Sequence, residues 1–508
     1  MKPANRTSRP CCKSGPGMNL ARIIKRHAQF SPRQVAIHAA GEDITYPEFW
    51  QRIERATHAL LAAGVQPGDR VAWLGFNDPA MLVLLFALSR IGSILLPLNH
   101  RLAALEHKAI LEHAGVSLLV SDSAHADAAA ALAASQGCRL LPASGLAVEH
   151  AGSSTLRLPG DYASPVLLVY TSGTTGRPKG ALHTQSGLIW NCVISAHAHE
   201  LTQADHVLSV LPMFHVGGLC IQTLPALHAG ATVTLHARFD AAAWLADVAR
   251  RRPTLSLMVP ATLRAVLDHT GFSSTDLSSL RFLAAGSSTI PTSMIAAIHA
   301  RGVPVGQVYG ATETGPVSIY LRRADAMDHV GSAGKAGLHV EVKLVNTLGE
   351  TVAPGEVGEI WVRAPNVMCG YWADAGNPAF AESWFHTGDL ARCNEAGFYE
   401  VVGRSKDMII SGGENVYPAE IENLLADCPE ILEAAVVGQP DARWGEVVVA
   451  VVVRTPGAVI DEAAVLQLFE GRLARFKHPK RIVFCEALPK TALGKVQKSG
   501  LLAGLAFQ

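Results

Sequence analysis

Residues 168–180 read LVYTSGTTGRPKG, an apolar run and a tyrosine leading straight into glycines, hydroxyls, one proline and two cations. The first part has the pattern of a buried strand. The second has the chemistry of an anion cradle. Gly173 and Gly176 let successive backbone N–H groups turn toward one ligand; hydroxyls of Thr171, Ser172, Thr174 and Thr175 add donors, and Lys179 adds charge. The Walker pattern does not fit, because the lysine comes after Arg177 and Pro178 and neither Ser nor Thr comes next. The stretch reads as a phosphate loop of another kind, against the general alternative that Gly/Ser-rich runs are plain surface loops.

Outward from that loop, residues 18 to about 400 alternate helix-period segments with short apolar runs, which predicts α/β layers with mostly parallel sheets. Residues 46–65 and 79–92 carry helix periodicity around a buried strand at 70–77, and the Ala-rich 127–135 predicts another helix. Around 340–400 the texture changes to short β-like runs with turn signals, a small β-rich subdomain. Beyond Arg404 comes a compact α+β unit of about a hundred residues, so the boundary is placed at 403–407.

Composition narrows the function. At 508 residues and 49% apolar content, the chain has material for more than one core. Lys plus Arg and Asp plus Glu are both 43, which leaves no electrostatic footprint for wrapping nucleic acid or an anionic membrane. The longest apolar stretch, 80–98, is broken by Arg90, Gly92 and Ser93, and reads as a helix and a buried strand rather than a membrane span. Nine cysteines show no zinc-type spacing, which suggests reduced thiols and a cytoplasmic setting. Residues 1–17 form a polar, basic leader without the apolar centre of a secretory signal; it is expected to be disordered, with Met18 offering an alternative start.

Four later segments carry chemistry of their own. In YGATETG (309–315), Glu313 sits among small residues in a turn, where a carboxylate can hold Mg²⁺ with few protein ligands; the plain alternative is a solvated glutamate. In WFHTGDLA (384–391), Asp389 can accept from two vicinal hydroxyls, or simply make an Asx turn. GRSKDMIISGGENVYPAEIE (403–422) places Arg404, Lys406, Gly412, Gly413 and Glu414 at the boundary between units, and the two glycines let a ligand approach the backbone. In PKTALGKV (489–496), Lys495 lies near the C-terminus, where a lysine is ordinarily a solvated charge.

TSGTTGRPKG together with these four segments, in this order, resembles the adenylate-forming superfamily: acyl- and aryl-CoA synthetases, peptide-synthetase adenylation domains and luciferases. The resemblance covers nearly all of the chain after the leader. It implies an α/β plus α+β fold: a large N-terminal AMP-binding domain (18–403) of two α/β subdomains and a small β-rich one, a hinge at 404–407, and a mobile C-terminal α+β domain (408–508). ATP, Mg²⁺ and coenzyme A are implied as cofactors and co-substrates, with a small carboxylic acid as partner. A homodimer is compatible with the resemblance.

By that resemblance, the loop 171–176 with Lys179, residues Gly286, Ser287 and Ser288, and Tyr309, Gly310, Ala311 and Thr312 face the nucleotide. Glu313 and Thr174 hold magnesium, Asp389 takes the ribose, and Arg404 also contacts the nucleotide. Lys495 stabilises the charge that develops as the carboxylate attacks the α-phosphate. His215 in LPMFHVGG is a positioning residue or switch beside the substrate carboxylate, approached by Glu414 in the thioester-forming state, although a lone histidine is more often structural. Lys406 is the hinge residue, and Gly412, Gly413, Trp444, Phe476 and Lys477 with His478 line the coenzyme A path; an exposed tryptophan is otherwise just partly packed.

The acyl pocket is expected near His215, Val216 and Gly217, near Ala285, Gly286 and Ser287, and near Gly315, Pro316 and Val317. Small residues admit a ring or a chain. The expected substrate is a fatty acid, with an aromatic acid of feruloyl, coumaroyl or benzoyl type as the alternative. An adenylation domain awaiting a carrier is disfavoured because LPMFHVGG lacks an aspartate for a substrate amine. A luciferase-like oxygenase shares the loops, and a silent nucleotide-binding regulator conflicts with the joint presence of Lys179, Glu313, Asp389 and Lys495.

Overall fold

The computed structural model describes residues 19–148, 158–171, 179–286, 290–374, 380–381, 383–411, 414–441, 444–490, 496–498 and 500–501. The leader expected at 1–17 and the alternative start at Met18 lie outside them.

Local signals and structure agree where caps are strong. The helix Tyr46–Ala62 begins at a capping box, the Thr45 hydroxyl and the Glu48 carboxylate each bonding the other's backbone, and buries Phe49, Ile53, Ala56 and Leu60 on one face. The helix Pro79–Ile91 is started by the Asp78 side chain and Pro79 and ended by Gly92 at φ 84. Almost all of its residues are buried, so the longest apolar stretch in the sequence is a core helix followed by the buried strand Ile94–Leu98. Among the described residues, no helix is long and apolar enough to cross a membrane.

Two large sheets carry the site. One has seven strands in the order Gly370–Tyr371, Lys179–Thr184, Pro165–Thr171, Ile94–Leu98, Arg70–Leu74, Leu118–Ser121, Arg139–Pro142. Its last five strands are parallel, while the first two are antiparallel additions. The other has nine strands, with a parallel centre from Val305–Tyr309 to Val35–Ala39 and antiparallel strands at both edges. Both sheets contribute to one continuous core that includes Trp73, Phe86, Leu167, Val207, Trp244 and Phe282. A five-stranded antiparallel sheet between Glu341 and Arg404 forms the β-rich part.

Sheet membership changes between Arg404 and Ile409. The strand Tyr399–Arg404 pairs within the preceding sheet, whereas Ile409–Ser411 joins a separate five-stranded sheet built on the long hairpin Ile431–Asp441 and Gly445–Arg454. That C-terminal unit has its own core around Ile421, Leu425, Val436, Val452 and Phe469. It touches the large unit through polar contacts: Arg392 lies 3.8 Å from the Glu420 carboxylate, and the Thr292 hydroxyl donates to Asp427 at 3.2 Å.

Candidate functional site

The signature stretch joins two antiparallel strands, Pro165–Thr171 and Lys179–Thr184, with Thr171 opposite Lys179. Lys179 is thus a strand residue, and its aim is set by a sheet rather than by the loop. Ser172, Gly173, Thr174, Thr175 and Gly176 lie outside the described residues. A third short strand, Gly370–Tyr371, pairs with Lys179–Thr184 and lays the Tyr371 ring 5.2 Å from the Lys179 ammonium. The Tyr371 hydroxyl in turn donates to Glu313 Oε1 at 2.7 Å, and the Met368 N–H donates to the Glu313 carbonyl at 2.8 Å. Burial, reinforced by the Glu313 charge, pushes the Tyr371 phenol far above its usual range, so it stays a donor.

The turn bearing Glu313 is itself tightly closed. The Ala311 N–H donates to the Thr314 hydroxyl at 2.9 Å, and Thr314 is fully buried. Any side chain at Gly310 would fall 1.7 Å from the Pro316 carbonyl, so only glycine lets the chain fold back there. The lysine, tyrosine and glutamate come from three segments brought to one point.

Asp389 sits directly across from Arg404 on neighbouring antiparallel strands. Arg404 Nε donates to its Oδ1 at 2.9 Å, and the Tyr309 hydroxyl donates to its Oδ2 at 2.8 Å. Burial, with the Asp389 charge behind it, drives the Tyr309 phenol well above its usual pKa; the same charge raises that of Arg404. The Asx-turn alternative gives way to a carboxylate held by two donors from two sheets. Each oxygen retains lone-pair capacity for a further donor such as a sugar hydroxyl. Glu359 orients the preceding turn, accepting from the Gly388 N–H at 2.9 Å.

His215, expected beside the substrate carboxylate, precedes a short helical turn, Val216–Gly218, that runs into a π-helical segment, Leu219–Thr223. Such segments are often found at functional sites. The His215 ring packs 4.4 Å from Phe214. A side chain at Gly217 would meet no atom within 4 Å, so this glycine borders open space. Gly286 is different: a side chain there would strike the Val308 carbonyl at 2.6 Å, so its smallness serves strand packing. Ala285 and Val317 are fully buried. Gly315, at φ 93, and Pro316 fold against Asn366, whose amide donates to the Val317 carbonyl at 3.3 Å and to Asn191 Oδ1 at 3.4 Å. Ser287 and Ser288 lie outside the described residues.

The residues expected to meet coenzyme A lie on the C-terminal unit. Trp444 and Phe476 are exposed large apolar residues there, and Glu414 is exposed on the strand Glu414–Val416. Lys477 is engaged with Glu420, the same carboxylate that faces Arg392 of the large unit. Lys406 is exposed in the short turn Ser405–Asp407 that joins the units. Gly412, Gly413 and Lys495 lie outside the described residues.

Sequence reasoning missed Tyr371, Asn366, Asn191 and Glu359. The MCGYW segment (368–372) offered a signal, since a Gly-Tyr pair after a β-run at the edge of a candidate site is a place for a polar-tipped ring. The asparagines offered none.

An α/β body of two sheets with a small C-terminal unit, a hairpin with Lys179 at the start of its second strand, and an aspartate held by a tyrosine and an arginine make up the candidate site. The chain matches the AMP-binding enzyme family over residues 24–372 and the AMP-binding enzyme C-terminal domain over 420–495. It belongs to the AMP-binding enzyme family, on the acid–thiol ligase side of it. It is 47% identical over 497 residues to an indoleacetate–CoA ligase of Aromatoleum aromaticum, covering 95% of this chain and 97% of the relative. A feruloyl-CoA synthase of Amycolatopsis is 43% identical over 93% of this chain and 96% of its own length. The long-chain-fatty-acid–CoA ligase FadD13 of Mycobacterium tuberculosis is 32% identical, covering 95% of this chain and 98% of that relative. Among solved structures, o-succinylbenzoate CoA synthetase (MenE) of Bacillus subtilis in complex with ATP and magnesium superposes with a TM-score of 0.86 at 30% identity, over 96% of this chain and 99% of that one.

Proposed function

We propose that this chain is an ATP-dependent ligase that joins an aromatic carboxylic acid, of the arylacetate or hydroxycinnamate class, to coenzyme A. The observation that carries the reading is the near-full-length similarity to ligases named for indoleacetate and ferulate, at 47% and 43% identity, against 32% for a fatty-acid ligase. These relatives favour an aromatic acid over the fatty acid expected from sequence. The open space beside Gly217 is compatible with a planar ring.

The reaction is read in two steps. A carboxylate oxygen attacks the α-phosphorus of ATP; the new O–P bond forms as the bond to pyrophosphate breaks, and pyrophosphate leaves with the electron pair. The thiol of coenzyme A then attacks the acyl carbon, the C–S bond forms, AMP departs, and the thiol proton passes to solvent. Activation as a mixed anhydride avoids any protein nucleophile.

Asp389, flanked by Tyr309 and Arg404, is assigned to the ribose, and Arg404 to the nucleotide as well. Lys179 supplies charge to the leaving phosphates beside the loop 171–176, Thr312 is assigned to the α-phosphate, and Lys495 to the attacking carboxylate. Among the described residues no group of three His, Cys, Asp or Glu side chains is arranged for a metal. A single carboxylate fits magnesium, which keeps its waters and leans on substrate phosphates. Glu313, oriented by Tyr371, would hold it with Thr174, and when bound it would neutralise phosphate charge.

The C-terminal unit is proposed to turn about 404–407 between the steps, with Lys406 in the hinge and His215 guarding the thiol path. Trp444, Phe476 and Lys477 would then meet coenzyme A. All seven cysteines among the described residues are free, in keeping with a reducing, cytoplasmic setting.

Pyrophosphate release with MgATP, measured across arylacetates, hydroxycinnamates, benzoates and fatty acids with and without coenzyme A, tests the reading. CoA-dependent turnover is expected with an arylacetate or hydroxycinnamate. Preference for fatty acids would restore the sequence expectation, and release with no effect of coenzyme A would assign another acceptor.

A further inference from the structure

His183 is 1% exposed, next to the last residue of the strand Lys179–Thr184, and neither step of the proposed ligation uses it. Neither ring nitrogen makes a hydrogen bond of normal geometry. A buried polar side chain left in this state is costly to the fold and calls for a reason. Burial pushes its pKa down to about 4, so the ring is neutral and carries one N–H donor and one acceptor. The polar group acting on it is the backbone of Thr312, the residue before Glu313.

The surroundings give this position meaning. On one side, the His183 strand pairs with Gly370–Tyr371, whose tyrosine holds the Glu313 carboxylate. The adjacent Leu182 carbonyl accepts from the Cys369 N–H at 2.9 Å, and the Met368 N–H holds the Glu313 carbonyl. The strand also abuts the turn Thr312–Thr314. His183 therefore lies on the strand that both segments governing Glu313 touch.

We propose that His183 is a positioning residue for the Glu313 turn, directing a ring N–H at the Thr312 carbonyl. A ring N–H aimed at that carbonyl braces the turn and so seats the metal-facing carboxylate. This inference rests on the reading that Glu313 serves magnesium.

Three variants test it, each measured for melting temperature without ligand, MgATP affinity by equilibrium binding, and the Mg²⁺ concentration for half-maximal pyrophosphate release. His183→Leu removes both nitrogens at similar volume. It is expected to melt at or above the wild-type temperature, yet to bind MgATP about tenfold more weakly and require about tenfold more Mg²⁺. His183→Asn and His183→Gln, each placing an amide near one ring nitrogen, are expected to recover part of that loss in one of the two cases, and they carry the test if the leucine variant fails to fold. Unchanged MgATP affinity and Mg²⁺ requirement in His183→Leu, or in both amide variants should the leucine variant not fold, would overturn the inference. Glu313→Gln separates the two levels: if it leaves the Mg²⁺ requirement unchanged, the underlying reading fails, whereas a raised requirement there beside a normal His183→Leu defeats the positioning role alone.

Discussion

Asp389 is 8% exposed and gripped by donors from two strands, whereas Trp444 and Phe476 on the C-terminal unit are 43% and 40% exposed. The residues proposed for the nucleotide site form two clusters within the large unit and its β-rich extension, Lys179 with Tyr371 and Glu313, and Asp389 with Tyr309 and Arg404. The residues assigned to coenzyme A lie on the C-terminal unit, which has a separate core and meets the large unit through polar contacts. A preassembled half can bind ATP without rearrangement and so stabilise developing charge at little reorganisation cost. An exposed half on its own core can be brought up, used and withdrawn, which suits gating by a domain motion.

The contrast between halves is most vulnerable at Lys495, the one residue of the C-terminal unit assigned to the first step. Lys495→Ala is expected to lower pyrophosphate release at least about a hundredfold, the scale of a lost transition-state contact, while thioester formation from supplied acyl-AMP continues. Equal loss of both would mean that the two steps share one arrangement of the units. Asp389→Asn keeps the shape but removes the charge that Tyr309 and Arg404 grip; kcat/KM for ATP is expected to fall between about tenfold and a hundredfold, with the KM for coenzyme A unmoved. Tyr371→Phe probes the preassembled half more gently. It removes one hydrogen bond to a carboxylate, worth about 1.5–3 kcal/mol, so pyrophosphate release should fall roughly tenfold and the Mg²⁺ requirement should rise.

Much of this was legible in the chain because its signals are local. Thr45 and Glu48, and Asp78, Pro79 and Gly92, mark helix ends within a few residues, and the structure places helices there. The hydroxyl- and glycine-rich stretch after Tyr170 pointed to the AMP-binding enzymes, and the chain matches that family over residues 24–372. What escaped depended on distance along the chain. Tyr371 meets Glu313 across 58 residues, and Asn366 reaches Asn191 across 175; no pattern within either segment points at the other. Val35–Ala39 likewise pairs with Thr232–Leu235 through the topology of the nine-stranded sheet. Gly286 and Gly217 show the limit from the other direction. Both looked like pocket openings, but a neighbouring strand's carbonyl fills the space beside one and nothing fills it beside the other.

The measurement that tests the division between halves most directly is a rapid-quench experiment on Asp389→Asn and Trp444→Ala, tracking pyrophosphate and thioester in the same reaction with an arylacetate. Asp389→Asn is predicted to lose the pyrophosphate burst. Trp444→Ala is predicted to keep a full burst and then form thioester slowly unless coenzyme A is raised. Loss of both steps to the same extent in both variants would contradict the account.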